Sequence, residues 1–265
     1  ISNSINSNRS VEIVRGGNKH FRGTVPIEFA ALGLGTLLKN ALGSVATSGA
    51  GPYTHVIKRG ALPAGLTLEK GFTDLAKYFV FTGCKIAKLA GSLQPSGIFT
   101  GSMDYVGGGM TSGSSPLDAA LTVPTHLPFM EHEAVVEEGG SGVTVLGHDF
   151  EINNNIEEVL AVGQRGPAAL TEGKGDAMGN VTLMFENLTA FNKFQDETAS
   201  DLKVTFTNGA NSLEFFYPNV RYIGDAVPKI ANAQGVVVPL KFRAVYDESE
   251  ATDVRITLIN TEATI

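Results

Sequence analysis

One cysteine, no tryptophan and 18% charged residues set the first limits on this chain. Cys84 alone closes no intramolecular disulfide and builds no multi-cysteine metal site. Without tryptophan, and with 8% aromatics, there is little to stack on sugars or unpaired bases. No apolar run reaches the roughly 18 residues of a membrane-spanning helix, and the N-terminus lacks a charged segment followed by an apolar one, so the reading is of no membrane insertion. Cations are few and scattered, as at Lys58 with Arg59 and at Lys85 with Lys88. A net charge of −7 and a pI near 5.3 oppose tight wrapping of nucleic acid, which needs clustered Lys and Arg.

Catalytic and cofactor patterns are missing as well. There is no Gly-x-Ser-x-Gly elbow; Gly33 and Gly35 lack the third glycine of a dinucleotide fingerprint, and Gly173, Gly175 and Gly179 are wrongly spaced for one. His126, Glu131, His132 and Glu133 have metal-ligand chemistry, but on a strand His132 points away from both glutamates and the helical HExxH spacing is absent. Cys84 lies in an apolar alternating run and reads as a small buried hydrophobe. Glu157 and Glu158 point opposite ways on a strand and read as solvated. The expectation is a protein that is not an enzyme and carries no cofactor.

What is present is turn and strand signal. Thirty-one glycines and 11 prolines with 43% hydrophobic residues point to a mainly β protein with a sizeable core. No repeat or linker divides the chain, so residues 1–265 are read as one domain. Gly23 to Ala30 alternates with Val25, Ile27 and Phe29 on one face, and Pro26 marks an edge. Helical spacing of Leu34, Leu38 and Ala41 predicts a helix from about Ala31 to Leu42, and Leu188 to Phe194 is a second, short candidate. Asn208-Gly209 between Leu202–Thr207 and Ser212–Tyr217 is the strongest hairpin signal. Phe129 to Glu138 and Val143 to Asp149 read as strands joined across Gly139–Gly142. Asn180 to Glu186, Gly235 to Tyr246 and Val254 to Ile259 complete the strands.

The densest stretch runs from Gly51 to Leu89, where a meander is predicted with Val56, Leu66, Leu68, Phe79, Phe81 and Ile86 buried. GPYTH at Gly51 to His55, LTLEKGFTD at Leu66 to Asp74 and YFVFTGCKI at Tyr78 to Ile86 resemble the tail tube proteins of long-tailed bacteriophages. EEGG at Glu137 to Gly140, SLEFFYP at Ser212 to Pro218 and ITLINT at Ile256 to Thr261 extend the likeness over most of the chain. The resemblance implies a β-sandwich or barrel with one or two short helices, closing into rings, usually hexameric, that stack into a tube for DNA. It implies self-association, contacts with tape measure and terminator proteins and, in a contractile tail, a sheath, in a virion tail assembled in the host cytoplasm. DNA would pass without specific binding. A domesticated phage-like injection particle would share this architecture; a monomeric β-sandwich binding module is the alternative from another class.

Within that reading two sets of residues stand out. The polar Ile1 to Arg9 segment (an arm of about residues 1–10) and a loop at about 107–118 lack apolar residues to fix themselves and are expected to order against neighbouring copies. Gly107, Gly108, Gly109, Met110, Thr111, Ser112 and Gly113 form the core of that loop. Glu131, Glu133 and Glu137 fall at period two on a predicted strand and are the candidates for an acidic lumen lining.

Overall fold

The computed structural model describes residues 14–224, 227–230 and 235–265. Strand β1 (Phe21–Glu28) leads through helix α1 (Gly35–Leu42) to β2 (Gly43–Ser48), β3 (Tyr53–Arg59) and β4 (Leu66–Phe72). The long β5 (Lys77–Leu93) is followed by β6 (Thr100–Gly107) and β7 (Gly109–Gly113). The middle of the chain supplies β8 (Ala134–Glu138), β9 (Ser141–Gly142), β10 (Val145–Asn153), β11 (Glu157–Leu160), β12 (Pro167–Thr171) and β13 (Asp176–Met184). After α2 (Thr189–Gln195) come β14 (Ser200–Asn208), β15 (Asn211–Ile223), β16 (Lys229–Ile230), β17 (Val236–Ala244) and β18 (Arg255–Asn260).

Hydrogen-bonded neighbours follow the order β1-β6-β5-β10-β13-β17-β15-β14-β8-β9, while β18 joins β15 to β3 and β3 carries β2. The first six form one layer, and β2, β3, β18, β15, β14 and β8 form the other. Strand β15 turns the corner between them: Ser212–Phe216 pairs with β18, Val220–Ile223 with β17, and Pro218, with no N–H to give a ladder, lies between. The chain is therefore mainly β and of sandwich type, with two short helices, as its glycine-rich composition predicts.

Side chains from both layers meet in a phenylalanine-rich core. Phe150 on β10 lies 4.7 Å from Phe215 on β15, and Tyr217 lies 5.2 Å from Phe242 on β17, measured between ring centres. Phe29, Phe99 and Phe129 enter from connecting segments and close a cycle of backbone hydrogen bonds. Each N–H donates to the next carbonyl, Phe29 to Phe99 at 2.9 Å, Phe99 to Phe129 and Phe129 to Phe29 both at 2.8 Å. Gly179 makes room for one of these rings, because a Cβ there would sit 2.8 Å from the Phe242 ring and 2.1 Å from the Asp149 carbonyl oxygen. Gly83, at φ +61, lies where β5 leaves its partners β4 and β7 for β6 and β10.

Several expectations are corrected in detail. Helix α1 starts at Gly35 rather than near Ala31, because Gly33 adopts φ +78, outside helical space. In β3 the inward residues are His55 and Ile57, not Val56; His55 reaches the Asn260 side chain at 3.1 Å and the Glu262 carbonyl at 2.9 Å. Ile86 is buried, but Leu66, Leu68, Phe79 and Phe81 are only partly covered, since their hairpin extends beyond the sandwich. Gly139 and Gly140, at φ +60 and +71, do make a turn, but it returns through the short β9; the next strand, β10, crosses to the other layer between β5 and β13. Strands β14 and β15 pair through to Asn208 and Asn211, the hairpin predicted from Asn208-Gly209. The N-terminal arm lies outside the described residues.

Candidate assembly surfaces

The residues expected to form a loop are largely strand. Gly107 ends β6 and is buried, and Gly109–Gly113 forms β7, whose Met110 and Ser112 pair with Phe81 and Phe79. Small residues with no apolar period conceal such a strand, which is held by its backbone ladder alone. The irregular stretch begins after it, at residues 114–127, where Leu117, Leu121 and Val123 are strongly exposed.

Strands β4 and β7 flank the N-terminal half of β5 and make a three-stranded arm. No residue from Gly60 to Gly83 or from Gly109 to Gly113 is buried. Phe72 packs edge-on against Phe79 at 6.1 Å, yet Phe72, Leu75 and Met110 remain 40%, 64% and 42% exposed. A second projection, the β11–β12 hairpin, carries Val159, Leu160 and a fully exposed Val162 at its tip. Its base is tied to β1 by Glu158, which accepts hydrogen bonds from Arg22 Nε at 2.9 Å and from His20. These bonds, that from Arg22 foremost, hold the Glu158 carboxyl below its usual range. The pairing with His20 and Arg22 is invisible in the local pattern, which shows only adjacent glutamates.

The common face expected for Glu131, Glu133 and Glu137 does not form. Glu131–Glu133 is a 3-10 turn rather than strand, and only Ala134–Glu138 continues as β8. Glu133 reaches back to accept the Met130 N–H at 2.9 Å, and its other oxygen accepts from Asn208. An acidic residue three positions after a turn start is a capping signal that could have ended the strand reading at this point. Glu137 does lie on an outer sheet face, where it forms an ion pair with Lys203. The adjacent Glu138 turns inward and accepts hydrogen bonds from Lys193 at 2.8 Å, Ser200 at 2.6 Å and Tyr222 at 2.9 Å.

Cys84 is buried, and desolvation pushes its thiol up to about 11, away from the thiolate needed for attack. Among the described residues no three His, Cys, Asp or Glu side chains gather as a metal site. His126 instead binds Glu28 at 2.6 Å.

Comparison with protein families gives one decisive match: a family described as phage tail tube protein aligns with residues 2–244. The chain belongs to the phage tail tube proteins. Comparison with curated proteins finds no match. As a tail tube protein the chain is a structural component of a phage tail.

Proposed function

We propose that this tail tube protein joins copies of itself into rings, and that the rings stack into the conduit through which phage DNA reaches the host. The observation that carries the reading is the β4–β5–β7 arm. A three-stranded sheet needs an apolar face packed on something to be stable, and this one has no buried residue within its own chain. Its exposed Phe72, Leu75 and Met110 supply the apolar surface that a neighbouring copy would cover. A single buried cluster spans both layers, which favours one folding unit per subunit. Tape measure and terminator proteins would meet the ends of the stack, and a sheath, in a contractile tail, its outside. Assembly would take place in the host cytoplasm, and the role would be geometric rather than catalytic.

Purified protein examined by electron microscopy and sedimentation over a range of concentrations tests this. Rings or filaments that grow with concentration are expected. A monomer at every concentration would overturn the reading and favour a binding module.

A further inference from the structure

The β4–β5–β7 arm meets the sandwich where the chain crosses three times, and a glycine stands at each crossing. Gly65, at φ +138, leads into β4; Gly83, at φ +61, interrupts β5; and Gly108 lies between β6 and β7. The crossings are side by side. A Cβ on Gly65 would lie 2.9 Å from the Gly83 carbonyl carbon, and the Gly108 N–H donates to the Thr82 carbonyl at 2.9 Å. Glycine has the widest backbone freedom, so no side chain fixes the dihedral angles at this level. The ladder lapses here as well. Strand β5 pairs with β7 as far as Thr82 and with β6 from Lys85, leaving Gly83 and Cys84 outside both, and the β4 register shifts between Leu66 and Leu68.

Below this belt the strand roots are fixed. Glu172 accepts hydrogen bonds from Lys85 Nζ at 2.6 Å and from the Leu62 N–H at 3.3 Å, and Cys84 and Ile86 are buried. Above it, two side chains link the arm to its surroundings. Phe81 packs edge-on against Tyr105 of β6, with ring centres 5.5 Å apart, and Glu69 accepts the Leu117 N–H at 2.7 Å. Leu117 belongs to residues 114–127, which run from the end of β7 back to the sandwich, where His126 binds Glu28 at 2.6 Å. Because Leu68 is paired with Phe81 and Glu69 with Val80, these two links lie on opposite faces of the arm. The second is an exposed hydrogen bond, which exchanges readily with water.

We propose that the β4–β5–β7 arm pivots as one unit on this glycine belt, and that Glu69 latches it in the observed pose by holding the backbone of Leu117. Strands advance about 3.3 Å per residue, so the stretch from Lys77 to Thr82 is a lever of roughly 20 Å, and a bend of about 15° carries its tip through about 5 Å. The pivot sets the exposed Phe72 and Leu75 at different heights relative to the sandwich, and a surface that covers them selects one angle from those available. It is a property of the single subunit and does not rest on the ring reading.

The test uses full-length subunits, dilute enough to sediment as single copies, with spin labels at Asp74→Cys on the arm and Lys241→Cys on β17. Thr100→Cys with Lys241→Cys is the reference pair within the sandwich, and the buried Cys84 stays unlabelled. Pulsed electron–electron distance measurements should give the arm pair a distribution broader than the reference by about 5 Å, the travel of a 15° bend. Glu69→Ala should broaden it further. Gly83→Asn with Gly108→Ala should narrow it towards the reference, since asparagine accepts positive φ and a Cβ at either glycine meets nothing nearer than 3.7 Å. An arm pair as narrow as the reference in both the parent and Glu69→Ala would overturn the pivot. A broad distribution that the glycine variant leaves unchanged would also overturn it, by placing the motion elsewhere. If the double glycine variant does not fold, Gly108→Ala alone is held to the same outcome. No change in Glu69→Ala, with the parent broad, would remove the latch. Hydrogen exchange distinguishes pivoting from melting: amides in the β4–β5 and β5–β7 ladders should stay protected, and rapid exchange throughout the arm would overturn its movement as one unit.

Discussion

Phe29 and Phe99 stack with ring centres 4.1 Å apart while the Phe29 N–H donates to the Phe99 carbonyl, so the two residues are joined by both side chain and backbone. Phe99 also stacks on Phe206 of the opposite layer at 4.5 Å. The ring thus bridges a connecting segment to the second sheet. Replacing Phe99 by Ala keeps the backbone cycle but empties the space between Phe29 and Phe206, and should cost about 3–5 kcal/mol. Urea unfolding of unassembled subunits measures this, and Phe99→Leu should lose less. Equal, small losses for both variants would show that the stack is not a keystone.

Helix α2 has no fully buried residue; Ala190 and Phe194 pack partly against the core, and Lys193 reaches both oxygens of the buried Glu138 at 2.8 and 2.9 Å and Ser200 at 2.9 Å. Lys193→Met strands a carboxylate among Ser200 and Tyr222, a loss of about 3 kcal/mol, at the lower end for a buried pair because the lysine is partly exposed. Hydrogen exchange should accelerate in residues 189–195 first. The double variant Glu138→Gln with Lys193→Met should recover part of the loss, because no unpaired charge remains. If the single variant leaves exchange in α2 unaltered, the clasp is not what holds the helix.

At the tip of the arm, Leu75 makes no buried contact within its own chain. Leu75→Glu should therefore change the stability of the unassembled subunit by no more than about 0.5 kcal/mol, yet abolish or sharply weaken assembly by placing a charge in a subunit contact. Thermal unfolding read beside sedimentation separates the two effects. Normal assembly of Leu75→Glu would show that the tip stays in solvent.

Much of the architecture was legible because it is written locally. Val25 and Ile27 alternate with exposed Thr24 and Pro26, and Gly209 supplies the φ of +60 that a two-residue turn requires. The phase of β3 was not legible, because Val56 and Ile57 are apolar on opposite faces and the deciding partners of His55 are about 200 residues distant. Glu131 and Glu133 kept the period of a strand while Met130 and Glu133 closed a turn. The outward face of the six-stranded layer was hidden for a similar reason. Glu28, Ser92, Asp149 and Lys241 belong to four strands scattered through the chain, and their common face exists only once the register is known.

His148 offers a test of the core through pH. It lies 2% exposed with its ring near those of Phe150 and Phe242, at 6.2 and 6.0 Å, and its Nδ1–H donates to the Asn180 carbonyl at 3.1 Å, while Nε2 has no partner. Burial disfavours the charged ring and lowers its pKa from 6.5 to about 4, against smaller opposing effects from the Asn180 carbonyl and Asp149. Between these values the unfolded chain binds a proton that the folded one refuses, so stability is full above about pH 6.5 and declines as the pH falls towards 4. The drop attributable to this residue is about 3 kcal/mol. Carboxylates titrate in the same range, so the contribution must be read as a difference from His148→Phe, which keeps an aromatic ring in place and removes the proton site. That variant should be less stable by about 1 kcal/mol at pH 7.5, through the lost hydrogen bond. Its urea midpoint should fall less steeply than the parent's between pH 6.5 and 4.5. Parallel slopes for the two proteins would mean that the ring is protonated in the folded state and that water reaches Nε2.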